Sequence, residues 1–239
     1  MSEKPTIVLI HGAFADASGW GGVMSRLQSE GYTVYAPSNP LRGVSADADY
    51  VRTFLGTIEG PVVLGGHSYG GTVITNAAVG ADNVKALVYV AAFAPIEGET
   101  GAAAGNLAGE GPDLTSIAVI RPFPGATGGN ADATLNPEIF PQAFCQDLPE
   151  EQARIMAYSQ RPAALAALVE PSGPPAWKNL PSWYMIATED RVIPPAAERI
   201  MAERAGATIS EVSSSHVAMI THPDEVAAMF VAADQATSA

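Results

Sequence analysis

The chain contains a single cysteine, Cys145, among its 239 residues. One thiol excludes an internal disulfide and a cysteine-rich zinc site. Charged residues are also scarce, at 15%, and the 12 Lys and Arg are outnumbered by 25 Asp and Glu. The formal net charge of −13 argues against nucleic acid and anionic membranes as partners, because the long-range field of the protein repels polyanions.

Long hydrophobic runs are missing as well. No apolar stretch approaches the ~20 residues that cross a bilayer. The opening MSEKPTIVLIHG has one lysine and a short apolar run, without the longer run and cleavage site of a signal peptide. We therefore expect a cytoplasmic protein with no membrane partner. The 47% of hydrophobic residues is typical of a globular chain, and the length fits one α/β domain or two small ones.

Strand-like and helix-like segments alternate along most of the chain. Short segments that are apolar or β-branched, as suits the strands of a parallel sheet, lie at 6–10, 32–37, 61–66, 84–93, 182–188 and 207–213. Helical patterns lie between or after them, at 19–30, 45–58, 70–80, 195–205 and 223–234. This alternation predicts an α/β fold, an open sheet with helices on both faces.

The segment 95–180 breaks the alternation. It is rich in Pro, Gly and Ala, with helical patterns only around 137–147 and 149–168. A disordered linker between two domains is one interpretation. The apolar bulk favours the other, a lid inserted between two strands of the sheet; that bulk is supplied by Phe123, Phe140, Phe144, Met156, Tyr158 and Trp177.

The stretch GGHSYGGT, residues 65–72, follows a predicted strand and opens a predicted helix. A serine held on such a turn is strained and crowded, so the positions two before and two after it must be very small, and Gly66 and Gly70 meet that demand. The turn exposes the Ser68 hydroxyl at a helix N-terminus, which favours developing negative charge. Ser68 is therefore the candidate nucleophile, and the alternative is an ordinary turn in which the serine caps the helix.

A serine nucleophile needs a base, and the chain has four histidines. His216 follows the last predicted strand, at the carboxyl edge where open α/β sheets place their sites, and is our candidate. His222, at the start of the last helix, is its main rival. We expect the side chain of His67 to point away from the attack face and His11 to support the loop after the first strand.

The base needs a carboxylate to fix its tautomer and stabilise its protonated form. Asp190, in TEDRVIPP, follows the penultimate predicted strand and is our candidate. Glu189 beside it and Glu97 after the preceding strand are lesser candidates. Asp190 could alternatively cap the helix that follows it.

Two backbone N–H groups must hold the oxygen of the tetrahedral intermediate. We expect one from Tyr69, after the nucleophile, and one from Ala13, in the loop HGAFADASGW. Gly12 allows the backbone of that loop to approach the nucleophile closely, and we expect Phe14 to line the pocket. A metal site fits poorly, because no ligand cluster accompanies the histidines.

Five segments together resemble the α/β-hydrolase fold, and within it the small esterase branch related to plant methylesterases and hydroxynitrile lyases: IVLIHGAFADASGW, GGHSYGG, VKALVYVAAFAP, TEDRVIPP and SSSHVAMITHPDEVA. The resemblance implies a six-stranded, mostly parallel sheet, a Ser-His-Asp triad and no cofactor. It covers the flanks of the chain, and 95–180 matches the family's lid in position only. The implied organisation is a core of 1–94 and 181–239 with 95–180 inserted.

Two positions separate this chain from the cyanohydrin-cleaving members of that branch. Those members carry a threonine where this chain has Gly12 and a lysine where it has Val217. Dehalogenases and epoxide hydrolases of the same fold use an aspartate in place of Ser68. We therefore expect a carboxylic-ester hydrolase for small, neutral, apolar substrates, with Gly12, Phe14 and Val217 in the substrate site.

Other reactions remain open at this point. The same triad could serve lactone opening, carbon–carbon bond hydrolysis or perhydrolysis, and the scaffold could be a non-catalytic small-molecule receptor. The acyl and alcohol groups of a substrate and the oligomeric state are not readable from the sequence.

Overall fold

Nine β-strands occur in this computed structural model, which describes residues 4–109, 111 and 114–238. In chain order they are β1 (Thr6–Ile10), β2 (Val34–Tyr35), β3 (Val62–Ser68), β4 (Val84–Ala92), β5 (Ala118–Arg121), β6 (Asp132–Leu135), β7 (Ala163–Ala164), β8 (Ser182–Ala187) and β9 (Thr208–Val212). Six of them form the main sheet in the order β2-β1-β3-β4-β8-β9, with every neighbouring pair parallel. The predicted six-stranded sheet is confirmed.

Ten α-helices lie in the described residues. They are α1 (Gly21–Ser29), α2 (Val44–Leu55), α3 (Tyr69–Ala77), α4 (Gly101–Gly105), α5 (Phe140–Phe144), α6 (Glu150–Tyr158), α7 (Leu165–Val169), α8 (Pro195–Arg204), α9 (Ala218–Thr221) and α10 (Pro223–Thr237). None of the described helices is both long and apolar enough to span a membrane.

The centre of the sheet is buried on both faces. Every residue of β3 is buried, and in β4 only Lys85 is exposed. Two adjacent glycines of β3 face opposite sides, as successive strand residues must. A Cβ at Gly65 would meet the Phe230 ring of α10, whereas one at Gly66 would meet the backbone of Gly70 in α3. Helices therefore cover both faces, as the apolar strands predict.

The segment between β4 and β8 holds a second, antiparallel sheet in the order β5-β6-β7. It is attached to the core by the Ala164 N–H, which donates to the Leu41 carbonyl over 2.9 Å, and by an Arg42–Asp132 ion pair of 2.8 Å. These attachments do not fit a linker interpretation. That the segment works as a lid stays a prediction.

One local expectation for this segment is wrong. The helix expected over 149–168 ends at Tyr158, and after Pro162 the chain forms the short strand β7 before turning into α7. Proline has no N–H to continue a helical ladder, which accounts for the break. Tyr158, one of the residues that supply the apolar bulk of this segment, is 70% exposed and donates a hydrogen bond to Glu138.

Candidate active site

Ser68 occupies a strained turn between β3 and α3. Its φ is +53° and its ψ −126°, a conformation that costs energy for a residue with a side chain. Crowding explains its glycine neighbours, because a Cβ at Gly66 would lie 2.5 Å from the Gly70 oxygen. One at Gly70 would lie 2.3 Å from the Ile10 oxygen. The Ser68 side chain makes no capping hydrogen bond to α3, so the turn is not explained by a serine cap.

The loop after β1 lies directly against this serine. A Cβ added to Gly12 would be 2.6 Å from Ser68 Cβ and 2.9 Å from the His67 oxygen, so only glycine fits. Phe14 has a φ of +64°, a second strained residue beside the site. Among the described residues, the Ala13 N–H has no hydrogen-bond acceptor, which leaves it available to a ligand.

Tyr69 begins α3, so its N–H belongs to the first turn and has no acceptor within the helix. Its side chain is fixed by a 2.8 Å hydrogen bond from its hydroxyl to Asp47 Oδ2. Burial raises the pKa of this phenol, which keeps the hydroxyl protonated and able to donate. Asp47 in turn accepts the Arg42 N–H, so the residue after Ser68 is held by a buried network.

His216 and Asp190 form a buried pair. Nδ1 of His216 lies 2.5 Å from Oδ2 of Asp190, and both side chains are fully buried. The other ring nitrogen, Nε2, is buried and has no hydrogen-bond partner in the described part of the chain. Ser68 Oγ therefore makes no hydrogen bond to Nε2 of His216 in this conformation. Such catalytic hydrogen bonds are often long until the substrate binds.

Asp190 is held in place by the chain that follows it. Its Oδ1 accepts the N–H groups of Val192 at 2.7 Å and Ile193 at 3.0 Å, which stabilise the carboxylate. The helix beyond begins at Pro195 and has Pro194 as its N-cap, so Asp190 is not its cap.

The rival candidates lie elsewhere. Glu97 and Glu189 are exposed, and Glu189 accepts a hydrogen bond from the Ser213 hydroxyl. His222 is the N-cap of α10, and its ring contacts the Thr221 hydroxyl. His11 accepts the Asn39 N–H at 2.9 Å and, as expected, supports the loop after β1.

His67 has a structural role that the sequence did not reveal. Its Nε2 donates to the backbone oxygen of His216 over 2.8 Å, and the two rings lie 4.6 Å apart between centroids. Burial, reinforced by the charge His216 carries when protonated, lowers the pKa of His67 well below its ordinary value. A neutral His67 with its proton on Nε2 therefore fixes the backbone of His216 beside the Ser68 turn.

The segment between β4 and β8 contacts both loops of the pair. The Phe144 ring packs edge-on against His216, with centroids 4.8 Å apart. Gln146 donates from Nε2 to the Glu189 carbonyl, and Asp147 accepts the Ser215 N–H, each over 2.8 Å. The loops that carry Asp190 and His216 are thus held by a segment distant from both in sequence.

A cleft of about 270 Å³ reaches the sequence neighbours of Ala13 and His216, but Ser68, Asp190 and His216 are not among the residues that line it. Of the three residues expected in the substrate site, Phe14 and Val217 line this cleft and Gly12 does not. Its wall also includes the apolar residues Met156, Met219 and Ile220, and the polar residues Asp16 and Gln152. No group of three or more His, Cys, Asp or Glu side chains that could hold a metal ion occurs in the described ranges.

The model of the alpha/beta hydrolase family matches residues 7–229 of this sequence. The chain belongs to the alpha/beta hydrolase family. A carbendazim-hydrolyzing esterase from Nocardioides sp. (strain SG-4G) is 34% identical over 106 residues, which cover 39% of this chain and 44% of that protein. The alignment thus spans less than half of this relative.

Solved structures of the same fold cover nearly the whole chain. A pyrethroid hydrolase from Sphingobium faniae JZ-2 is 22% identical with a TM-score of 0.78, and 98% of each chain is covered. Polyneuridine aldehyde esterase is 19% identical with a TM-score of 0.81, covering 96% of this chain and 99% of that one. The predicted resemblance to the α/β-hydrolase fold is confirmed, and the solved structures of that fold include an esterase.

Proposed function

We propose that this protein hydrolyses carboxylic esters, with Ser68 as nucleophile, His216 as base and Asp190 as the orienting acid. The observation that carries the proposal is the buried His216–Asp190 hydrogen bond, with the opposite ring nitrogen left without a partner. Asp190 fixes the proton on Nδ1, which leaves the lone pair of Nε2 to accept a proton. The strained turn of Ser68 presents the hydroxyl that supplies it.

The reaction runs in two halves. Nε2 of His216 takes the Ser68 proton while Oγ attacks the ester carbonyl, and the N–H groups of Ala13 and Tyr69 hold the oxyanion. The protonated His216 gives its proton to the alkoxide as the carbon–oxygen bond breaks, which releases the alcohol and leaves an acyl-enzyme. Water, deprotonated by His216, then attacks the acyl carbonyl, and the proton returns to Ser68 as the acid leaves.

The cleft favours small, neutral and largely apolar substrates. Phe14, Val217 and Met219 supply apolar contact. Among the described residues no Lys or Arg lines the cleft to pair with an anionic substrate, and the one charged residue in its wall is Asp16. The net charge of −13 acts in the same direction, since it repels anions at long range. Carbendazim, named for one relative, is therefore a reasonable substrate to test.

Three sequence expectations remain predictions beside this one. They are the division of the chain into a core (1–94 and 181–239) and a lid (95–180), the cytoplasmic location, and the absence of nucleic-acid partners. The chemistry proposed above requires none of them.

Rapid-mixing kinetics test the proposed function. With an activated aryl ester of a short acid, purified protein should release a burst of phenol matching the enzyme concentration, followed by slower turnover, since an acyl-enzyme forms before it is hydrolysed. A parallel panel of lactones, β-diketones and carbendazim measures the competing reactions. Ester hydrolysis weaker than lactone or carbon–carbon cleavage would reassign the reaction, and tight binding without any turnover would indicate a receptor.

A further inference from the structure

A second carboxyl group lies buried behind the His216–Asp190 pair. It belongs to Glu198, in the first turn of α8, and the residue has no exposed surface. Glu198 forms no ion pair with a Lys or Arg in the described residues. Buried carboxylates are ordinarily paired with a cation, so this one needs another explanation.

The hydrogen bonds of Glu198 are unusual for an anion. Its Oε2 accepts the Ala187 N–H at the end of β8, over 3.1 Å. Its Oε1 is buried and faces no donor among the described residues. The carboxyl group of Asp190 is its charged neighbour. Because ionised carboxylates only accept hydrogen bonds, a bond between these two groups would require a proton on one of them.

The proton belongs on Glu198. Asp190 already accepts two backbone N–H groups on Oδ1 and faces the Nδ1 of His216 with Oδ2, all of which stabilise its anion. Glu198 has a single N–H donor, and burial and the Asp190 charge raise the pKa of Glu198 well above its ordinary value. The α8 dipole favours the anion, but that contribution is small beside the lost solvation and the repulsion.

We propose that Glu198 is a neutral positioning residue that donates a hydrogen bond to Asp190 and holds it against His216. The role rests on the proposed catalytic use of Asp190 and His216. The donated bond withdraws charge from the carboxylate and limits its rotation, so that Oδ2 stays aligned with Nδ1. Tyr184 also faces this group, but its hydroxyl donates to the Ala92 carbonyl and cannot replace the bond.

Infrared spectroscopy reads the protonation state directly. Protein labelled with ¹³C at the glutamate carboxyl, in D₂O at neutral pH, should show the C=O band of one protonated glutamic acid, and the Glu198→Gln variant should lack it. A spectrum with only ionised glutamates would overturn the proposal. The measurement uses the free protein and requires no turnover. Failure of the proposed function would appear separately, as wild-type protein that hydrolyses no ester.

Two substitutions test the positioning role. Glutamine can donate an N–H to Asp190 and accept the Ala187 N–H, so Glu198→Gln should retain kcat and the acid limb of its pH profile. Glu198→Met matches the length but removes both bonds. It should lower kcat about tenfold at constant KM, the effect of about one hydrogen bond, and move the acid limb to higher pH, since a less neutralised Asp190 stabilises protonated imidazole more strongly.

The contrast between the variants decides the interpretation. If Glu198 were ionised in the wild type, Glu198→Gln would remove a negative charge next to Asp190 and move the acid limb to lower pH. If the role were only structural, Glu198→Met would lose stability with its pH profile in place. Either result contradicts the proposal. Should Glu198→Met not fold, the infrared spectrum and the Glu198→Gln profile still decide it.

Discussion

Nδ1 of His216 lies 2.5 Å from Oδ2 of Asp190, in a position where neither side chain is exposed. The two residues are 26 positions apart and follow different strands of the sheet, β8 and β9. Parallel strands bring their carboxyl ends to one edge, which is why two loops separated in sequence meet there.

Asp190→Asn should lower kcat by about four orders of magnitude with a much smaller change in KM. An amide has one acceptor oxygen, so if it keeps the Val192 and Ile193 N–H bonds, its NH₂ faces His216 and favours the wrong tautomer. Steady-state kinetics on an aryl ester measure the effect. Glu97→Gln and Glu189→Gln are the matched controls, because both carboxylates are exposed and retain room for an amide. A near-normal Asp190→Asn beside an inactive Glu97→Gln would reassign the acid.

Gly12→Ala should lower kcat about 100-fold, because the added methyl displaces either Ser68 or the loop with Ala13 by a fraction of an ångström or more. The clash is with Ser68 Cβ at 2.6 Å and the His67 oxygen at 2.9 Å. Gly21→Ala is the control, since a Cβ there meets nothing within 4 Å and its φ is −53°. Equal activity of the two variants would show that the Gly12 contact does not matter to the reaction.

The stability of the protein should depend on His67 at acidic pH. Its folded-state pKa is well below the 6.5 expected when unfolded, so the unfolded chain binds the extra proton. Above about pH 6.5 His67 therefore leaves the free energy of unfolding unchanged. Below that pH the free energy of unfolding falls, by at most about 1.4 kcal/mol per pH unit.

Urea unfolding of the wild type and His67→Gln at pH 7.5, 6.0 and 5.0 measures this difference, with His222→Gln as the control because that ring is partly exposed. The free energy of unfolding of His67→Gln should fall less steeply with acid than that of the wild type. Parallel slopes would mean that His67 accepts a proton in the folded protein.

The main sheet could be predicted from the sequence because its strands lie in short runs of apolar or β-branched residues. The signal is weakest for β9, whose sequence TISEV is largely exposed. The Ser68 turn could also be predicted, because the crowding around it leaves room only for glycine at positions 66 and 70. The small sheet between β4 and β8 could not be. Its strand β7 is only Ala163–Ala164, which carries no strand pattern and follows a helical one.

The supporting residues of the site were missed for a different reason. His67 bonds to a carbonyl 149 positions away, and nothing near it in sequence indicates that partner. Glu198 looked like any charged residue of an exposed helix face. The one signal in the sequence is its position, eight residues after Asp190, at the start of a helix that packs back against β8. Only the packing shows that this face of α8 is buried.

The most direct test of the account is covalent labelling of the nucleophile. Wild-type protein should react with a serine-directed organophosphonate, lose esterase activity in step with labelling, and carry one adduct on Ser68 by peptide mass spectrometry. Ser68→Ala should stay folded by circular dichroism, take up no label and hydrolyse no ester above the background set by the oxyanion N–H groups. An adduct on another residue, or a Ser68→Ala protein with wild-type activity, would contradict the assignment of Ser68 as the nucleophile.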